Sequence, residues 1–383
     1  MNWITASERI RTNLRWFPAY FWQRCVRRSP DVRPMHLVIA LADHFEPVNS
    51  TGDSKKRVNG HEWEHRLKEW CREYPVAVDA WRDDEGKPLR HTYFFPAEEY
   101  DPAMIDRLSE HCHSGWGEIE IHLHHGVTAP DTAEHTHRTL VEFRDALAAR
   151  GCLSRQDGVG PPRYAFVHGN WALANSAQGR FCGVDEEMQI LASTGCYADF
   201  TLPAPTSAQI SKINALYECA LPLNRSAPHR QGSDLQCDRA PKIFPLIIQG
   251  PLLLDFGRRK NRWPYLLGIE NGELSGNNPP TLRRLQLWRE AAITVRGRPE
   301  WLFIKLHCHG MVRRDEPAMF GVSIQRFLRE LLEGPGNRTE YRVHFVTARE
   351  MVNIALAACD GCTGNPGDYR DYRFQLIQTP VNI

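Results

Sequence analysis

The sequence lacks the short motifs that usually identify a nucleotide site or a serine hydrolase. Its 383 residues contain no G-x-G-x-x-G, no Walker loop, no G-x-S-x-G and no tandem repeat. No apolar run approaches the about 20 residues that a membrane-spanning helix needs. The 47 basic residues are balanced by 46 acidic ones, so there is little net charge to attract nucleic acid. Any chemistry is therefore expected from individual polar side chains.

A disulfide framework is also missing. The 11 cysteines are odd in number and scattered, which is typical of a reducing compartment. Cys359 and Cys362 form a lone C-x-x-C, which we interpret as two unpaired thiols at a helix end. Since no secretory signal is recognisable, we expect a cytoplasmic protein.

Arginine and aromatic residues are concentrated in the first 30 residues. A basic aromatic helix can pack on a neighbouring domain or lie at the level of lipid headgroups. We favour the packed helix and keep peripheral membrane contact as the alternative. The predicted organisation is a helical segment over 1–30, one large domain over 31–359 and a tail over 360–383.

Apolar runs alternate with helical patterns along the large domain. Helices are predicted from apolar residues at helical spacing and from the Thr347 and Glu350 capping box. The predicted strands are 36–43, 91–97, 118–125, 164–169, 244–250, 301–307 and 342–347. This alternation favours a parallel sheet with helices outside, and the number of strands suits a barrel, in which the chemistry sits at the carboxyl ends of the strands.

The stretch from about 200 to 300 is rich in proline and interrupts this alternation. We interpret it as long loops over the mouth of the barrel, because long loops in a compact domain are usually functional or disordered. Its basic residues could line a substrate groove or simply lie in solvent: Arg225, His229, Arg230, Arg258, Arg259 and Lys260.

Histidines are clustered where predicted strands end. EIEIHLHHG contains His122, His124 and His125, and FIKLHCHG contains His307 and His309. Side chains at alternate strand positions point to the same face, so each His-x-His pair can converge on one point. Imidazole is the commonest ligand of catalytic divalent metals. The sequence therefore predicts a metal site at this end of the sheet.

The motif LADHFEP at the end of the first strand resembles the opening motif of the polysaccharide deacetylase family. In that family the strand ends in T-F-D-D, where one Asp is the catalytic base and the next binds the metal. The resemblance places Asp43 at the base position and His44 at the ligand position, with Glu46 as a second carboxylate in the same turn. The resemblance covers roughly residues 36–350 and implies an α/β fold, a distorted or incomplete (β/α) barrel of about seven parallel strands.

Later segments extend this resemblance. In the family's second motif, an E-I run is followed by two histidines four residues apart. Glu118, Ile119 and His122 match its start. Gly126 occupies the position of the second histidine, so His124 or His125 must substitute for it. The closing L-x-H motif makes His307 the general acid. Where the family has an Arg and an aromatic groove wall, this chain has YAFVHGNWALAN. The residues assigned to substrate binding are His168, Asn170, Trp171, Asp199 and His309, and Trp116 is a further candidate for stacking on a sugar.

The implied activity is removal of an acetyl group from an acetylated sugar or glycan precursor, with one divalent ion, zinc as first choice. The metal ligands are drawn from His44, His122, His124 and His125. Two alternatives stay open. The His-x-His pairs also suit a binuclear amidohydrolase, and the departures from the family motifs suit a degenerate barrel that binds a glycan without cleaving it. The expected partner is a carbohydrate substrate, and binding to nucleic acid is not expected.

Overall fold

The structure is a computed structural model that describes residues 6–27, 33–48, 60–204, 208–257 and 268–378. The helices in these ranges are α1 Ala6–Val26, α2 Gly60–Val78, α3 Pro102–His111, α4 Ala133–Ala148, α5 Glu187–Thr194, α6 Leu282–Glu290, α7 Glu316–Met319, α8 Val322–Glu333 and α9 Ala348–Cys359.

The strands lie mainly between these helices. They are β1 Met35–His44, β2 His91–Pro96, β3 Gly117–Leu123, β4 Ser154–Gln156, β5 Val159–His168, β6 Cys196–Asp199, β7 Leu216–Cys219, β8 Gly232–Asp234, β9 Leu246–Ile248, β10 Leu253–Asp255, β11 Gly268–Glu270, β12 Trp301–Cys308, β13 Tyr341–Val346 and β14 Phe374–Leu376.

The fold is mixed α/β with a mostly parallel main sheet. The hydrogen-bonded path runs β12-β1-β2-β3-β5-β6-β9-β7-β8, and β13 also pairs with the first half of β1. The pairs along this path from β12 to β9 are parallel. The pair of β9 with β7 and the pair of β7 with β8 are antiparallel. Each of the seven predicted strands coincides with an observed one. No ladder joins β12 to β8 within the described ranges, so closure into a seven-strand barrel stays a prediction.

The two faces of the sheet have different partners. Leu37 and Leu41 of β1 belong to a core shared with α2 to α6 and α8. Val38 and Ala42 belong to a second core shared with α9 and α1. Because successive strand residues point to opposite faces, the even-numbered side of β1, which ends at His44, faces the α9 side of the sheet.

Helix α1 packs on the main domain. Trp16 and Tyr20 are buried in the second core, and the Gln23 amide donates to the Ile213 carbonyl at 2.8 Å. This agrees with the packed helix that the sequence favours. Phe21 and Trp22, by contrast, are 54% and 61% exposed. Within the described residues we find no helix with the length and apolar content to span a bilayer.

The start of α9 ties distant parts of the chain together. Thr347 and Glu350 form the predicted capping box. The buried guanidinium of Arg349 donates to both oxygens of Glu118 on β3, at 2.7 and 3.0 Å, and to the Phe374 carbonyl at 2.7 Å. Strand β14 pairs with β4, so residues beyond 359 also contact the main domain. The domain boundaries themselves stay a prediction.

A polar group joins the 83–85 turn to β13. The ring of His344 contacts Glu85 Oε2 at 2.8 Å, and Arg370 donates to the same oxygen at 3.0 Å. Burial alone would raise the pKa of Glu85, but these partners lower it to about 2. Glu85 is therefore an anion in the folded protein, and its charge contributes to stability at neutral pH.

The interpretation of residues 200–300 as loops was incomplete, because the segment forms strands β7 to β11. Short strands interrupted by proline give little periodic signal. His229 is 1% exposed and burial lowers its pKa to about 3, so it does not line an open groove. Arg225 and Arg230 are exposed, whereas Arg258, Arg259 and Lys260 lie outside the described residues.

Candidate metal centre

Five histidines meet at the carboxyl ends of β1, β3 and β12. The ring of His44 lies 5.0 Å from the ring of His122, 4.9 Å from that of His309 and 6.2 Å from that of His307, measured between centroids. The rings of His122 and His124 are 4.6 Å apart. Each His-x-His pair therefore brings at least one ring beside His44. We call His44, Glu46, His122, His124, His307 and His309 the histidine cluster.

Three members of this cluster offer atoms that fit one metal ion. One ligand atom each from His44, Glu46 and His122 lies within 4.8 Å of the others. His122 Nδ1 is 3.0 Å from the Val167 carbonyl, which accepts its proton and leaves Nε2 as the free lone pair. Within the described residues, the buried atoms His122 Nε2 and His44 Nδ1 have no hydrogen-bond partner. A divalent ion would satisfy such buried nitrogens.

The electrostatics keep the deepest imidazoles neutral and the carboxylate charged. Burial, and then the neighbouring histidines, hold the pKa of His44 well below its ordinary value. Burial followed by Lys305 does the same to the pKa of His307. Burial opposes ionisation of Glu46, but His124 and His122 lower its pKa to about 2. Neutral imidazoles and an ionised carboxylate are the protonation states that bind a metal.

Within the histidine cluster, His124 is a partly exposed imidazole whose ring is held in place by a carboxylate. Its Nδ1 contacts Glu98 Oε1 at 2.5 Å, and its Nε2 lies 3.7 Å from Glu46 Oε1. A cavity of about 380 Å³, lined by Glu98, His124 and the segment from Gly126 to Asp131, opens beside it. This volume is in the range of small-molecule sites.

The carboxylate of Asp43 lies outside the histidine cluster. It is fully buried, with Oδ2 2.8 Å from His91 Nδ1 and Oδ1 accepting the Gly310 N–H at 2.7 Å. Asp43, His91 and Cys308 form a separate buried group. Since Asp43 and His44 are adjacent on a strand, their side chains leave opposite faces. The residue that brings a carboxylate to the cluster is Glu46.

His125 and His168 belong to a third group, with Cys182 and Glu187. His125 Nε2 is 2.8 Å from Glu187 Oε1 and its Nδ1 is 3.0 Å from Asp131 Oδ2. Burial would lower the pKa of His125, but Glu187 and Asp131 raise it to about 12. The two histidines predicted as metal ligand and substrate contact are thus separate from the group of His44, Glu46 and His122.

The other predicted substrate residues are divided. Trp171 lies beside the cluster, with its ring 6.3 Å from that of His44, and Asn170 precedes it. Asp199 is fully buried and accepts from the Thr201 hydroxyl at 2.7 Å, so it is closed to a substrate. Burial lowers the pKa of its neighbour Lys305 to about 7, while Asp199 opposes this.

Trp116 is at the wrong end of the sheet to share this mouth. It directly precedes β3, whereas His122 is near the carboxyl end of the same strand. A larger cavity of about 640 Å³ also lies at this far end, lined by Met35 and Tyr341 where β1 and β13 begin. Its size does not make it the site, because no histidine lines it.

Several residues in or beside these groups were not identified from the sequence. They are Glu98, which lies in a short turn after β2, His91 at the start of β2, Lys305 inside β12, and Cys182 and Glu187 of the third group. A close reading of strand alternation would have found Lys305, which shares a face with His307. The others become neighbours only through the tertiary fold.

Comparison with known proteins gives little to add. No family model matches the chain, and no curated protein matches it. A crystal structure from Mycobacterium smegmatis, provisionally named a polysaccharide deacetylase, is similar over 87% of this chain and 93% of its own, with 13% identity and a TM-score of 0.43. Neither a family nor an activity follows from a likeness of this size.

Proposed function

We propose that the protein is a metal-dependent hydrolase that removes an acetyl group from an acetylated sugar or glycan precursor. The observation that carries the proposal is the group of His44, Glu46 and His122 at the ends of β1 and β3. Two imidazoles and one glutamate are a ligand set of catalytic zinc, which leaves a fourth position open. The acetylated substrate is inferred from the motif resemblance around Asp43 and His307.

When bound, a divalent ion would polarise an acyl carbonyl and lower the pKa of bound water toward about 7. The chain's own contribution is to hold the ligands rigidly. The Val167 carbonyl fixes the His122 ring, and burial keeps His44 neutral. In the resemblance, the carboxylates of the first strand act as catalytic base and as metal ligand. We assign these two roles to Glu46 rather than Asp43, because Glu46 is 3.5 Å from His122 Nε2.

Proton transfer to the leaving amine or alkoxide needs an imidazole that reaches the substrate. We assign this role to His124, which Glu98 orients and which lines the cavity of about 380 Å³. His307, the general acid implied by the resemblance, is 4% exposed and is therefore less able to meet a substrate. Comparing His124→Gln with His307→Gln separates the two assignments, since the acid should cost about 10²- to 10⁴-fold in turnover.

Trp171 is our candidate for binding the sugar. Its ring lies beside His44, at the edge of the cluster, and aromatic rings offer a flat apolar face with a polar edge. We propose that it stacks on the sugar ring next to the scissile bond. Trp171→Phe should keep most of the binding, whereas Trp171→Ala should raise KM more than it lowers kcat.

The test is acetate release from a panel of N- and O-acetylated sugars, with metal content measured on the same samples. Glu46→Gln distinguishes its two roles: a base would lose turnover and keep the metal, and a ligand would lose both. His122→Ala should lose both, and His113→Ala, an exposed histidine on another part of the surface, should lose neither. Sugar binding without turnover by the metal-loaded parent protein would instead support the degenerate glycan-binding barrel.

The second candidate is a binuclear amidohydrolase, because one histidine from each His-x-His pair lies beside His44: His122 at 5.0 Å and His309 at 4.9 Å between ring centroids. It differs in the number of ions that the cluster holds. Loss of about two ions on His122→Ala, rather than about one, would favour it.

A further inference from the structure

The third group of buried side chains brings together four different segments. His125 follows β3, His168 ends β5, Cys182 lies in the loop after β5, and Glu187 opens α5. All four are buried, and one ligand atom from each lies within 4.8 Å of the others. None of these residues belongs to the histidine cluster.

The donor atoms match the preferences of zinc. Imidazole nitrogen, thiolate sulfur and carboxylate oxygen are its usual protein ligands, and four protein ligands are typical of a closed structural site. One thiolate and one carboxylate also neutralise a dication, which a buried site requires because an uncompensated charge there is costly.

The surrounding contacts are those of a supported ligand set. His125 Nδ1 is held by Asp131 Oδ2 at 3.0 Å, which directs Nε2 into the group. Cys182 Sγ accepts backbone N–H groups from Asn175 at 3.3 Å and Val184 at 3.5 Å, and it donates toward Glu187 Oε2 at 3.6 Å. An ion would replace this thiol proton, and the two N–H groups would then support the thiolate. Glu187 Oε2 accepts the Ala174 N–H at 2.5 Å and so leaves Oε1 to face the histidines.

One atom in the group points to a missing ligand. His168 is fully buried, and its Nε2 has no hydrogen-bond partner among the described residues. It lies 3.7 Å from Glu187 Oε1, too far for a hydrogen bond. An ion between His168, His125 and Glu187 would engage this atom, and it would replace the proton on His125 Nε2, which lies 2.8 Å from Glu187 Oε1. Ligation at Nε2 moves the proton to Nδ1 and displaces the long 3.3 Å contact from the Asn170 N–H.

We propose that His125, His168, Cys182 and Glu187 bind a second divalent ion, zinc by its donor set, that stabilises the rim of the cavity. The segment from Gly126 to Asp131 lines this cavity and is joined to the loop after β5 by two backbone bonds, Phe181 N–H to Gly126 O at 2.9 Å and Asp131 N–H to Cys182 O at 2.8 Å. The ion would fasten both segments to β5 and α5. The proposal does not depend on the proposed activity.

Cobalt substitution gives a readout that the group of His44, Glu46 and His122 cannot produce, because that group contains no thiol. A thiolate-to-cobalt absorption band in the near ultraviolet therefore reports a group with a cysteine, and the variants of Cys182 and Cys308 show which one. We expect the band in the parent protein and in His122→Ala, and its loss in Cys182→Ser together with about one ion per chain. Cys152→Ser is the matched control, because Cys152 is another buried thiol and lies in none of the candidate groups.

Two results would overturn the proposal. One is a parent protein that shows no thiolate band after reconstitution with Co²⁺, which decides the question even if Cys182→Ser does not fold. The other is a band that survives in Cys182→Ser and disappears in Cys308→Ser, which would assign the ion to the Asp43 group. Failure of the hydrolase proposal would instead appear as a metal content that His122→Ala leaves unchanged.

Discussion

Replacement of Asp43 tests whether this carboxylate supports the fold or performs the chemistry. In Asp43→Asn, the side-chain oxygen can still accept the Gly310 N–H. The side-chain nitrogen can donate to His91 Nδ1 if the imidazole changes tautomer. The tautomer change leaves a proton on the buried His91 Nε2, which has no partner among the described residues. A buried unsatisfied donor costs about 1–3 kcal/mol.

This cost converts to a small shift in melting temperature. An unfolding entropy of about 2.1 cal/mol/K per residue gives about 0.8 kcal/mol/K for 383 residues. Asp43→Asn should therefore lower Tm by about 1–4 °C, and Asp43→Ala, which strands both donors, by about 3–8 °C. Differential scanning calorimetry measures both.

Turnover on an acetylated sugar decides the role. Because both oxygens of Asp43 are engaged outside the histidine cluster, Asp43→Asn should lower kcat by less than about tenfold, whereas Glu46→Gln should lower it by about 10²- to 10⁴-fold. The reasoning is refuted if Asp43→Asn keeps its Tm and its metal but loses about 10²-fold or more of kcat. Asp43 would then be the base that the motif resemblance implies.

Three further predictions concern the framework around the site. Gly126→Ala should lower the free energy of unfolding by more than about 2 kcal/mol, since φ is +62° and a Cβ would overlap the Cys182 backbone. The control Gly86→Ala, at φ +75° in open space, should lower it by about 1 kcal/mol, and equal urea midpoints for the two variants would contradict this. Glu85→Gln should lower the free energy of unfolding by about 1–2 kcal/mol at pH 7, after allowance for screening by solvent. Because the folded pKa of about 2 is below the ordinary 4.5, the difference in stability between variant and parent should vanish as pH falls from 4.5 to about 2. A difference that stays constant over this range would contradict the prediction. Arg349→Met should lower the free energy of unfolding by about 3–5 kcal/mol, because it leaves the buried Glu118 carboxylate unpaired. Adding Glu118→Gln should recover part of that loss, and a double variant no more stable than the single one would contradict this.

The strands and the convergence of the histidines could be predicted because both depend on local rules. Parallel strands buried on both faces appear as continuous apolar runs, and alternate strand positions share a face. These rules bring His122 and His307 to the side of the sheet where His44 ends β1. The same alternation sends Asp43 to the opposite face, a consequence that the motif resemblance concealed. Strand β6 was missed because four residues carry almost no periodicity.

Contacts made by loops could not be predicted in the same way. His125 lies beyond the end of β3, where alternation no longer applies, and its partner Glu187 is 62 residues away at the start of α5. Cys182 reaches the same point only because the loop after β5 is bonded to Gly126. Such groups depend on tertiary packing and leave no spacing in the sequence.

The metal content of the purified protein and of His122→Ala, measured by mass spectrometry beside His113→Ala, tests the central claim most directly. The account predicts that His113→Ala matches the parent, while His122→Ala holds about one ion per chain less and no longer releases acetate. A His122→Ala protein that keeps the full metal content of the parent would contradict the account, as would a parent protein that takes up no divalent ion on reconstitution.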